Sequence, residues 1–112
     1  MRNRRTRIRF PVFSNFEVRV IQSRNITATG QRFGVDTSAD QAAVITDPAK
    51  FPKRAVLVLG MDADEGTIAH EASHAVRAVL NFAGARTDNE VFAYHLDFLV
   101  GRIHRFLKGS AK

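Results

Sequence analysis

The sequence predicts an α+β fold, a small and mostly antiparallel sheet packed on two helices, and three observations predict it. Near the N-terminus apolar and polar residues alternate in the two-residue period of half-buried strands. Two short apolar runs in the middle of the chain read as further strands. The last part carries two long stretches whose apolar residues recur every three to four positions, the period of amphipathic helices. At 112 residues the chain is expected to be one domain spanning 1–112. A hydrophobic content of 45%, with nine Phe, supplies the volume for a modest core that folds without outside help.

Ile8, Phe10 and Val12 alternate with Arg7, Arg9 and Pro11, and Phe16, Val18 and Val20 alternate with Glu17, Arg19 and Ile21. With Ser14-Asn15 as a tight turn, they form a basic N-terminal hairpin over 1–24 with its arginines on the outer face. From Asn25 to Asp40, Thr, Gly, Asn, Ser and Asp dominate, punctuated by Gly30 and Gly34, which predicts a loop or irregular edge. Ala42 to Thr46 reads as a short strand ended by Asp47-Pro48, and Ala55 to Leu59 as a buried one ended by Gly60. Asp62 to Gly66 is an acidic loop. Helices are predicted over 67–82 and 88–107, separated by Gly84-Ala85-Arg86.

The absence of cysteine rules out a disulfide framework and a thiolate metal site, so any metal is held by His and carboxylates. No apolar stretch of signal-peptide length follows the basic N-terminus, and no apolar run approaches the roughly 20 residues that span a bilayer. The expectation is a soluble cytoplasmic protein without a signal peptide or membrane partner. The net charge of +6 is concentrated in Arg2, Arg4, Arg5, Arg7 and Arg9 and suits an anionic partner. Nucleic acid is one such partner, with Phe10, Phe13 and Phe16 as bases' stacking platforms. It ranks last, because Phe10 and Phe16 fall on core-facing positions and a basic tail is more often a solvated surface.

The chemistry is concentrated in His70-Glu71-Ala72-Ser73-His74. Two His at i and i+4 stand one helical turn apart on one side, where their imidazoles can converge on a cation. On a helical wheel Ile68, Ala72, Ala75, Val76, Val79 and Ala83 form the apolar stripe, with His70, His74, Arg77 and Asn81 opposite. Glu71 projects beside the pair, placed to hold a water without being a ligand. Zinc at such a site lowers the pKa of its water to about 7, and the Glu then serves as general base, the chemistry of metallopeptidases. A solvated helix face carrying two unligated His is the alternative.

A catalytic zinc usually takes three protein ligands. In the metzincin pattern a Gly and a third His follow, but Arg77 and Leu80 occupy those positions, which excludes that class. In the gluzincin pattern a Glu comes from a later helix, and Glu90 fits; Asp88 and His95 are the other candidates. Thr87-Asp88-Asn89-Glu90 is also a capping box, in which Glu90 only starts the helix. On that helix Phe92, Leu96, Leu99, Ile103 and Phe106 form the apolar stripe and Glu90, Tyr94, Asp97 and Gly101 the polar face, so both helices turn polar faces toward a shared cleft. Tyr94 is a candidate oxyanion donor or a half-buried structural tyrosine, and Asp97 a candidate partner for a ligand His. His104 reads as an ordinary surface or core histidine.

Thr67 to Val76, followed by Asp88-Asn89-Glu90-Val91-Phe92-Ala93-Tyr94, resembles the small zinc metallopeptidases often encoded by tailed bacteriophages and prophages. It is distantly similar to the ImmA/IrrE-type peptidases, where a Glu-containing helix with a Phe-Ala pair follows the HExxH helix. The likeness covers about the last 45 residues, and only the HExxH element is strongly specific. It implies a minimal zincin-like domain with Zn2+ held by His70, His74 and Glu90, Glu71 as catalytic base, and a protein or peptide substrate. It further implies a place in host cytoplasm or virion, with a phage structural or assembly partner. The gap from His74 to Glu90 is short for a gluzincin, and Tyr94 stands where the thermolysin-like group often has Asp. A zinc-binding structural or interaction protein that cuts nothing is the second expectation.

Overall fold

The computed structural model describes residues 3–11, 13, 15–34, 42–45, 53–84 and 89–109. Two strands, β1 (Arg4–Arg9) and β2 (Glu17–Ser23), are followed by a short helix α1 (Ile26–Arg32), strands β3 (Ala42–Ile45) and β4 (Arg54–Gly60), and helices α2 (Glu65–Ala83) and α3 (Asn89–Leu107). The fold is α+β, as the sequence predicts. The four strands form one sheet in the order β1-β2-β4-β3. β1 pairs antiparallel with β2, and β3 antiparallel with β4, but β2 and β4 run parallel, with Val20 beside Leu57 and Gln22 beside Leu59.

That parallel pair explains the uninterrupted run from Ala55 to Leu59. A strand with both faces covered needs apolar residues at every position, and all five are 0% exposed. Ala55, Leu57 and Leu59 point into the main core with Ile8, Phe10, Val18 and Val20, under the buried stripes of α2 and α3. Val56 and Val58 point the other way and form a smaller cluster with Ile21, Ile26 and Phe33.

The second cluster corrects the loop expected from Asn25 to Asp40: three helices pack on the sheet, not two. Asn25 caps α1, its side chain accepting from the Ala28 amide at 3.0 Å. The capping Asn, the glycines and the threonines looked like loop composition, but Ile26 and Phe33 anchor the turn on Ile21, Val56 and Val58, and that burial overrides weak helix propensity. Residues 35–40, the Asp47-Pro48 stop, and Ala85 and Arg86 lie outside the described residues.

β1 and β2 form an antiparallel hairpin, closed by a hydrogen bond from the Phe16 amide to the Phe13 carbonyl at 3.0 Å; Met1, Arg2, Val12 and Ser14 lie outside the described residues. Among the described residues one arginine is not on its outer face. Arg4 faces the helices, donating to Gln22 Oε1 at 3.0 Å and to the carbonyls of Phe106 and Leu107, with its guanidinium over the Phe106 ring. It adds a donor to the carbonyls at the end of α3, where Phe106 also accepts from the Gly109 amide, and complements the negative end of that helix.

Leu57 stands at the centre of the core, between β2 and β3 in register. Leu57→Ala is expected to lower the unfolding free energy by about 2–5 kcal/mol, the cost of a cavity in a closely packed interior; urea unfolding followed by circular dichroism measures it.

Candidate metal centre

α2 begins two residues earlier than its periodicity suggests, because Asp64 is a strong N-cap. Its backbone is extended (φ −86°, ψ 174°), and its Oδ1 accepts from the Thr67 amide at 2.7 Å. The acidic loop thus ends in the helix start. The amide of Thr67, followed by its hydroxyl, stabilises the ionised carboxylate and holds Asp64 below its usual pKa. At the other end Gly84 adopts φ 67°, a left-handed conformation suited to glycine, and its amide bonds the Leu80 and Asn81 carbonyls.

Between these caps, the rotation of α2 is set by its buried stripe of Ile68, Ala72, Ala75, Val76, Val79 and Leu80. Leu80 replaces Ala83, which is exposed, as the last residue of the predicted stripe. Docking that stripe on the sheet leaves His70, His74, Arg77 and Asn81 on the solvent side, as the helical wheel predicts. The imidazoles meet edge-on, 85° apart in plane, with their Nε2 atoms 3.4 Å from one another. That separation is long for a hydrogen bond. It matches two nitrogens each about 2.0–2.1 Å from a tetrahedral zinc, which stand roughly 3.3–3.4 Å apart. The Ser73 hydroxyl donates to the His70 carbonyl at 2.6 Å, tightening the turn that carries the pair. One carboxylate oxygen of Glu71 joins one nitrogen of each His in a group whose members all lie within 4.8 Å.

The remaining sequence candidates are placed as follows. Among the described residues the metal-competent group is His70, Glu71 and His74; Glu90 is not in it, standing exposed on the first turn of α3. Thr87 and Asp88, and with them the capping box, lie outside the described residues. Tyr94 is 58% exposed, and its ring meets that of His95 edge-on. Asp97 is exposed and His104 half-buried. His95 is only 5% exposed: it packs against Phe10 and Phe13, and its Nδ1 lies 2.8 Å from the Val91 carbonyl. Its Nε2 is buried without a hydrogen-bond partner among the described residues. These contacts place His95 on the core side of α3 and not on the polar face. Arg77, on the same face as the histidines, brings its guanidinium to 5.4 Å from the Phe92 ring centroid and links the histidine face of α2 to the start of α3.

No protein-family model, curated protein or solved structure matches the chain. Among the described residues no helix is long and apolar enough to cross a membrane.

A folded pKa held below the unfolded one stabilises the native state above the unfolded value, near the ordinary 3.8, and that contribution is lost as pH falls through the folded value. Wild-type protein should therefore lose thermal stability in that acidic window more steeply than Asp64→Asn, which keeps a capping oxygen but does not titrate. Melting curves from pH 2 to pH 5, at roughly half-unit steps, test this. For a divalent metal ion at this group, His74→Ala should abolish binding of about one ion per chain, whereas His95→Phe, which keeps the aromatic packing, should leave it unchanged; calorimetric titration distinguishes the two.

Proposed function

We propose that the chain is a zinc-dependent metallopeptidase acting on a protein substrate. The single observation that carries this reading is the 3.4 Å approach of His70 Nε2 to His74 Nε2 on the exposed side of α2, with Glu71 beside them. His70 and His74 would hold the metal, with Glu90 reaching from α3 as third ligand. Bound zinc supplies a Lewis acid that polarises a carbonyl and lowers the pKa of water to about 7.

The chain's own residues supply the rest. The Glu71 carboxylate takes a proton from the water whose oxygen attacks the scissile carbonyl carbon. It then delivers that proton to the amide nitrogen as the carbon–nitrogen bond breaks. Tyr94 donates its hydroxyl to the carbonyl oxygen as negative charge develops there. The substrate backbone lies extended against a free sheet edge as an added strand; β3 is the edge in contact with α2.

A second reading is favoured by the grouping itself. Glu71 is within ligand reach of both histidines and Glu90 is not. If Glu71 ligates the metal, no base remains beside it, and the protein binds zinc without cutting.

One substitution separates the two. As a base, Glu71→Gln keeps zinc bound and lowers kcat on a cleaved protein by about 10²–10⁴-fold. As a ligand, the same change loses the metal. Zinc analysis of the purified variant, paired with a cleavage assay, reads both; Glu90→Gln should weaken zinc binding under the first reading and leave it intact under the second.

A further inference from the structure

A second surface lies on the face of the sheet turned away from α2 and α3. Alternation along β1 puts Arg5, Arg7 and Arg9 on that face. Register sets Arg7 beside Arg19 and Arg9 beside Glu17 on β2, and Glu17 beside Arg54 on β4. Three of the arginines on this face, Arg7, Arg19 and Arg54, share one carboxylate, that of Glu17. Glu17 is 6% exposed and already engaged, with nitrogens of Arg7, Arg19 and Arg54 at 3.7, 3.7 and 3.5 Å. One negative charge cannot offset the three positive ones that meet it, and Arg5 adds another on the same face, so this cluster keeps a net positive field. Burial, followed by the neighbouring Arg54, lowers the pKa of Arg19, a sign of like charges crowded together.

Near the end of β2 the same face meets a concavity of about 700 Å³ lined by Arg5, Arg24 and Arg32 together with Asn3, Asn25 and Thr29. Hence the basic surface continues from the strands onto α1. Along β1 the arginines repeat every two residues, about 6.8 Å apart, a spacing of the same order as that of successive phosphates in a nucleic-acid strand. Planar guanidinium groups match phosphate oxygens in pairs.

We propose that this face docks the sugar–phosphate backbone of duplex DNA without reading its bases. A regular row of guanidiniums fits a regular polyanion better than the irregular carboxylates of an acidic protein. Single-stranded nucleic acid is disfavoured because its binding relies on exposed aromatic platforms. Phe10 and Phe16, 1% and 3% exposed, belong to the opposite, core-facing side, and Phe33 packs on Ile21, Val56 and Val58. Among the described residues no long helix projects from this face to enter a major groove. The inference does not rest on the metal site, which occupies the solvent side of α2 across the sheet.

The test is fluorescence anisotropy of a labelled duplex of about 20 bp with the full chain, over roughly 50–200 mM KCl. Binding is expected with a slope of log K against log salt of about −3 to −5, the release expected for some four or five phosphates. Arg5→Gln/Arg7→Gln should make that slope shallower by about two and weaken binding at least tenfold. Arg102→Gln/Lys108→Gln removes two charges from exposed positions on α3 and in the turn that follows it, and should change the affinity less than twofold. Thermal melts establish that both variants are folded. No binding at the lowest salt, an equal loss in both double variants, or equal affinity for the single strand or for polyglutamate of matching charge would each overturn the proposal.

Discussion

The burial of β4 on both faces is the constraint from which the arrangement follows. Along the central strand Ala55, Leu57 and Leu59 on one side and Val56 and Val58 on the other are fully buried, so each face must be covered by another layer. α2 and α3 cover one, and α1 covers part of the other. Because α2 follows β4 after only a short turn, its apolar stripe has one docking solution, and that solution fixes which side of the helix meets water. His70 and His74 converge because Ile68, Ala72, Ala75, Val76 and Val79 are held down. The metal-competent geometry is thus a by-product of packing, stabilised locally by the Asp64 cap and the Ser73 back-bond.

The same sheet separates two chemistries. One face, through α2, carries imidazole and carboxylate groups at close spacing; the other carries guanidinium groups around a buried Glu17. A sheet does this without extra machinery, because neighbouring residues of one strand point in opposite directions. In β1, Ile8 belongs to the core while Arg7 and Arg9 belong to the far surface. The net charge of +6 is therefore not spread evenly, and a substrate or partner meets very different fields on the two sides.

Several polar groups that look functional in isolation are committed to the fold. Arg4 is committed to the C-terminal carbonyls of α3 and to the Phe106 ring, which ties the last helix to the first strand. His95 is held among Phe10, Phe13 and Tyr94, with one nitrogen directed at the Val91 carbonyl. Both contacts join α3 to the N-terminal strand and the residues just after it, segments far apart in the chain, and position α3 beside α2.

The local periods determined much of this protein. The hairpin, the short strands, the two long helices and the outward side of α2 were legible because each depends on side chains a few residues apart, whose directions a strand or helix dictates. The HExxH spacing likewise determined that two imidazoles share one turn. What the tertiary structure decided were the contacts between distant segments. α1 forms because Ile26 and Phe33 find Ile21, Val56 and Val58; β2 and β4 run side by side in parallel; and Arg19 and Arg54 join the N-terminal arginines around Glu17. None of these can be read from spacing, since no local period relates residue 19 to residue 54. The same holds for Glu90: its exposed place on the first turn of α3, outside the His70, Glu71 and His74 group, follows from how α3 seats against α2, a relation carried by packing and not by sequence distance.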